Sequence, residues 1–142
     1  MLKRIFLPII MFSLILSKSL YAEEQYICPS VEDVKQLRDI WPNGSWMPLY
    51  IEGEELASEE DIAKFSKTVT GFSHAQWDTQ FLEAGHCFYK GSDPVVEKIT
   101  LARDMLKPKL DDPFWKMLGP KNFICFGPLV AECNFGGAGE NS

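Results

Sequence analysis

An uncharged apolar run, Ile5 to Leu16, follows Lys3 and Arg4 and leads to Leu20-Tyr21-Ala22. A charged start, an apolar stretch and a small terminal residue are the parts of a secretory signal peptide, so residues 1–22 are expected to be removed before Glu23. The run is about twelve residues, whereas a bilayer span needs roughly twenty. No later apolar segment is longer, so no membrane anchor is expected. No cysteine lies at the cleavage point either, which gives no signal for a lipid-modified N-terminus.

Beyond the leader, short helical and strand-like patterns succeed one another. Val31, Val34 and Leu37 recur at helical spacing behind Ser30, with Asp33 in the capping-box position, until Trp41-Pro42-Asn43-Gly44 breaks the helix. Trp46 to Ile51 reads as a strand, and Pro48 suggests a sheet edge because proline has no N–H for the ladder. Ser58 opens a short helix through Ile62 and Phe65. From Thr68 to Gly91, aromatic and β-branched residues alternate with glycine, predicting strands at 68–77 and 83–90 joined by an irregular turn.

Residues 94–107 read two ways. Asp93 and Pro94 suit the N-cap and first position of a helix, yet the β-branched residues favour a strand paired back on His86 to Lys90. Residues 112–118 predict one or two helical turns stopped by Gly119-Pro120, and Asn122 to Phe126 a strand. Residues 136–142 predict a disordered tail. The elements amount to one α+β domain over residues 23–135, built as a small antiparallel sheet with an N-terminal helix and short helical segments.

Cysteine usage adds a staple to that picture. The sequence contains Cys28, Cys87, Cys125 and Cys133, all after the leader. An even number in an exported chain points to disulfides, and four cysteines allow three pairings that sequence does not decide between. The short loop from Cys125 to Cys133 favours that pair and, with it, Cys28–Cys87. A zinc site has less support, since there is no Cys-x2-Cys knuckle and His86 sits directly beside Cys87. A sulfur held in a bridge is no nucleophile either.

Charge narrows the class of partner. The 142-residue chain carries 20 Asp and Glu against 14 Lys and Arg, a net charge of −6. Such a chain lacks the cationic surplus that replaces phosphate counterions, so nucleic acid is not an expected partner. Loss of Lys3, Arg4 and Lys18 with the leader takes the charge to −9. The imbalance is uneven: residues 23–86 hold 13 acids and 4 bases, residues 87–142 hold 7 of each. Its densest part is Glu52, Glu54, Glu55, Glu59, Glu60 and Asp61, with no Lys or Arg among them. The EF-hand pattern of calcium sites is absent there. That stretch reads as a solvated acidic loop and helix start, or as a docking surface for a basic partner. Trp41 and Trp46, flanking the Pro-Asn-Gly turn, join it as candidate partner-binding residues, whereas Trp77 reads as core.

Reactive motifs are missing. There is no G-x-S-x-G elbow, no phosphate loop and no H-E-x-x-H helix. His74 and His86 are the groups whose ordinary pKa lies near neutrality. Asp78 stands four residues after His74, and even spacing in a strand puts both on one face, so a His–Asp pair acting as general base is a candidate without a nucleophile to activate. No catalytic residue, cofactor or metal ligand is assigned, and a non-enzymatic role is expected.

Cys28-Pro29-Ser30 opening a helix, Phe72-x-x-Ala75-x-Trp77, Cys87-Phe88-Tyr89, Cys125 and Cys133-Asn134-Phe135 together resemble a group of small periplasmic gammaproteobacterial proteins. The chain is most similar to the EirA-like proteins of Coxiella and Legionella relatives, which are associated with type IV secretion and intracellular replication. The resemblance spans most of the chain after the leader and rests on cysteines and aromatics. It implies a soluble periplasmic α+β protein that supports secretion or virulence through protein contacts, with secretion-system components or a second copy of itself as partners. It carries over no catalytic residue. The alternative expectation is a periplasmic inhibitor or ligand-binding module acting on a hydrolase, with Trp41 to Trp46 as the inserting loop.

Overall fold

The computed structural model describes residues 26–37, 41, 45–78 and 84–137. The expected leader, the part of the first helix beyond residue 37, the turns at 42–44 and 79–83 and the tail beyond 137 lie outside the described residues.

Two antiparallel sheets make up a strand-rich α+β core. The larger runs in the order β2 (Met47–Tyr50), β5 (Ile99–Arg103), β4 (Ala84–Gly91), β3 (Val69–Asp78), β8 (Asn122–Cys125) and β7 (Trp115–Gly119). The smaller has β9 (Asn134–Gly137) between β1 (Tyr26–Ile27) and β6 (Leu106–Pro108). Alternation divides the large sheet into two faces. Ala75, Trp77, Cys87, Tyr89, Ile99, Leu101 and Cys125 point into the core. His74, Gln76, Asp78, His86, Phe88, Thr100 and Ile124 stand on the other face.

The helices cover the core face. α1 (Val31–Lys35) begins with the reciprocal cap read from sequence: Asp33 N–H donates to Ser30 Oγ at 3.2 Å and Ser30 N–H to Asp33 Oδ2 at 3.3 Å. α2 (Glu59–Thr68) is capped by Ser58 and buries Ile62, Phe65 and Ser66. Phe65 meets Tyr89 edge to face at 5.9 Å. Ser66 Oγ donates to the carbonyls of Val34 and Lys35 at 2.9 and 2.7 Å, which satisfies terminal carbonyls of α1 from the neighbouring helix.

Both disulfides join the large sheet to the layer that holds the small one. Cys87 on β4 bonds Cys28, the residue directly after β1, and Cys125 on β8 bonds Cys133, the residue directly before β9. The two sheets approach tightly at Gly85, where a Cβ would lie 2.9 Å from Phe135 Cε1 and 3.0 Å from Leu106 Cδ1. Trp77 and Trp115 fill the same seam, their indole N–H groups donating to the carbonyls of Leu106 and Asn134. Buried indoles need such acceptors.

Three sequence expectations change. Residues 94–107 are neither one strand nor one helix: Asp93 caps a 3₁₀ turn, Pro94–Lys98, and β5 and β6 follow. β5 does pair back on β4, with Phe88 opposite Thr100 and His86 opposite Ala102. The helical turns expected at 112–118 are instead a turn, in which Phe114 N–H donates to Asp112 Oδ1, leading into β7. Pro120-Lys121 closes a two-residue hairpin with Gly119 opposite Asn122, and the pairing with β8 together with burial of Trp115 against Phe135 outweighs the local helical spacing. The expected tail loses Gly136 and Gly137 to β9, whose ladder partners on β6 are Lys107 and Leu106.

Candidate functional site

β2 is an edge strand, and the chain beyond it doubles back. Tyr50 N–H donates to Glu55 O, Ala57 N–H donates to Pro48 O, and Leu49 bridges Leu56. The intervening turn needs two residues with left-handed backbone, Gly53 at φ 85° and Glu54 at φ 55°. Glycine adopts this freely, whereas a residue with a Cβ adopts it at a cost of order 1 kcal/mol. The fold-back splits the acidic run between two clefts.

The first cleft, of about 500 Å³, lies between this turn and the outer face of the large sheet, where Leu49, Ile51, Gln76, His86, Phe88 and Thr100 line it with Glu54 and Asp78 at its acidic positions. Aromatic rings form a row beside it. Phe126 leans on His74 at 5.6 Å, His74 stacks parallel on Phe88 at 4.4 Å, and His86 is tilted against Phe88 at 6.4 Å. Gln76 Nε2 lies 3.3 Å from His74 Nε2, and Ser73 Oγ lies 2.9 Å from His74 Nδ1. An amide nitrogen only donates, so Nε2 of His74 accepts and Nδ1 carries the proton towards Ser73. Burial lowers the pKa of both histidines; for His86 the charges of Asp104 and Asp78 partly oppose it.

The His74–Asp78 pair proposed from sequence does not form as a working dyad. Both residues lie on the same face, but four residues of strand separate them by about 13 Å. Asp78 acts electrostatically on His86 instead, across the β3–β4 ladder. That cross-strand relation was missed because sequence spacing registers neighbours along one strand only.

The second cleft, of about 680 Å³, opens beside the start of α2, with Trp41, Leu56, Ala57, Ile62 and Ala63 as its apolar lining and Glu59 and Glu60 as its acids. Trp41 and Trp46 both pack partly buried against the core, and Trp46 meets Phe135 at 6.3 Å. Asp61 accepts a hydrogen bond from the Tyr50 hydroxyl. Glu52 and Glu55 are exposed and line neither cleft. The eight candidate partner-binding residues are therefore dispersed: Trp41, Glu59 and Glu60 share one cleft, Glu54 belongs to the other, and Trp46 and Asp61 serve the fold. The row of His74, Phe88 and Phe126 was not legible as a site, since His74 and Phe88 come from different strands and Phe126 directly follows a third.

Among the described residues, no group of three or more His, Cys, Asp and Glu is placed to hold a metal ion, and no helix is long and apolar enough to cross a membrane. The two disulfides agree with an extracellular or periplasmic setting. Comparison with protein-family models, curated proteins and solved structures found no match.

Proposed function

We propose that the chain is an exported, non-enzymatic adaptor of the periplasm that works by protein–protein contact, its partner docking at the cleft beside α2. The observation that carries this reading is the composition of that cleft. An apolar lining of Trp41, Leu56, Ile62 and Ala63 bears acids at Glu59 and Glu60, and among the described residues one ion pair, from Lys64 to Glu60 at 3.3 Å, leaves Glu59 unneutralised at its border. An aromatic anchor site with an acidic border suits a partner segment that presents an apolar side chain flanked by Lys or Arg. A link to type IV secretion rests on the resemblance carried by Cys28-Pro29-Ser30 and Cys133-Asn134-Phe135. The cleft favours an adaptor over an inhibitor with an inserting loop, because Trp41 and Trp46 pack on the core rather than project from it.

A photo-crosslinking residue placed at Leu56, and separately at Leu110 on an exposed turn elsewhere, tests the reading in living cells. The expected result is a discrete adduct with a secretion-system component from Leu56 alone, lost when Glu59→Lys and Glu60→Lys are combined. An adduct that survives the charge reversal, or one formed equally from Leu110, overturns it.

A further inference from the structure

The cleft over the outer face of the large sheet shares no lining residue with the cleft beside α2. Its hydrogen-bonding inventory is lopsided. The Thr100 hydroxyl donates its hydrogen to Cys87 O at 3.0 Å, and the Tyr50 hydroxyl donates towards Asp61. The Gln76 amide nitrogen is turned to His74. Most of what these side chains leave unspent is acceptor capacity, in the Gln76 amide oxygen, the Thr100 oxygen lone pairs and the carboxylate of Glu54, against the second N–H of the Gln76 amide and the one ring N–H of a neutral His86. Asp78 is engaged elsewhere in the fold and adds negative charge nearby. No Lys or Arg is among the lining residues, and His86 is held towards its neutral form by burial.

The rest of the lining is apolar: Leu49, Ile51 and the ring of Phe88. A ligand matched to this apolar, acceptor-rich and negatively charged cleft therefore has an aliphatic body, several N–H donors and a positive charge. Phe88 can add attraction through its ring face, as aromatic rings do for cations. Glu54 strengthens the case from the backbone. It holds φ 55° at the mouth of the cleft beside Gly53, which is already left-handed. Strain of this kind persists where surrounding structure fixes it and concentrates at binding sites.

We propose that this cleft binds an alkylammonium group, supplied either by a lysine side chain of another protein or by a free aliphatic amine. Glu54 supplies the counter-charge, Gln76 and Thr100 accept N–H bonds, and Leu49, Ile51 and Phe88 receive the methylene stem. The site is independent of the adaptor surface beside α2 and stands if that reading fails.

Titration of the full chain, recovered with its disulfides intact, is followed by backbone amide shifts in nuclear magnetic resonance. The probes are pentylamine, the tripeptide Ala-Lys-Ala and the same tripeptide acetylated on the lysine Nε. Pentylamine and the free tripeptide should both shift Gly53, Glu54, Gln76 and Phe88 in a saturable way, and the acetylated tripeptide should not. Tighter binding of the tripeptide identifies a protein lysine as the source, and tighter binding of pentylamine a free amine. Glu54→Asn, which suits the left-handed backbone, should weaken binding by about three- to fivefold, the size of a partly exposed ion pair, while raising the melting temperature. Glu59→Gln with Glu60→Gln should leave it unchanged. Equal shifts from the acetylated tripeptide, shifts confined to residues around α2, no saturable shift, or unaltered binding in Glu54→Asn each overturn the proposal.

Discussion

His74 and His86 show how burial on a sheet face favours the neutral form of an imidazole. Both stand on the outer face of the large sheet among Phe88, Phe126 and Gln76, and burial lowers both pKa values. In the unfolded chain they titrate near the ordinary value of about 6.5. The unfolded state therefore binds more protons below that pH, and folding stability falls as pH drops from the unfolded pKa towards the lowered folded one. Denaturant midpoints measured from about pH 7.5 down to about pH 5.5 should decline, and His86→Gln should flatten part of that decline. A midpoint that stays level in the parent, or an unchanged slope in the variant, removes His86 from the account. The sequence makes these two residues visible as titratable groups but gives them the wrong partner. Asp78 is near His74 in number, whereas the ladder places it diagonal to His86.

Among elements, the strands and caps were the most legible. β3 and β4 follow the alternation of aromatic and β-branched residues with glycine over 68–91, β8 follows the compact apolar run at 122–126, and Ser30 and Ser58 cap the helices that their side chains advertise. β7 was misread because Phe114, Trp115 and Leu118 fit a helical face as well as a strand, and only the hairpin to β8 decides between them. Gly85 is the element-scale feature with the sharpest consequence. It is where β4 admits the side chains of Phe135 and Leu106 from the small sheet, so Gly85→Ala should lower stability by about 1–3 kcal/mol through overpacking. Gly119→Ala, with nothing within 4 Å of the added carbon, is the matched control and should change stability by about 0.5 kcal/mol or less. Equal effects in chemical denaturation would contradict the seam as the cause.

For the whole molecule, the staples organise the layers. Cys28–Cys87 closes a separation of 59 residues and Cys125–Cys133 one of 8. Loop-closure entropy then gives about 4 kcal/mol for the first and about 2.5 kcal/mol for the second. Replacing each pair by alanine and comparing urea unfolding should show the larger loss for Cys28 and Cys87, with looser packing of β1 and α1; the reverse order overturns that entropic account. The sequence by itself determined the strand-rich α+β class, the caps, the turn-breaking prolines and the short-loop preference behind the disulfide pairing, because these depend on neighbours within a few residues. Only the tertiary structure decided which face each acid and histidine occupies. The acidic run is continuous along the chain, yet the fold-back at Gly53 and Glu54 sends Glu54 to the outer sheet face and Glu59 and Glu60 to the cleft beside α2. Two clefts emerge from one acidic segment because a reversal of chain direction separates side chains that sequence lists side by side.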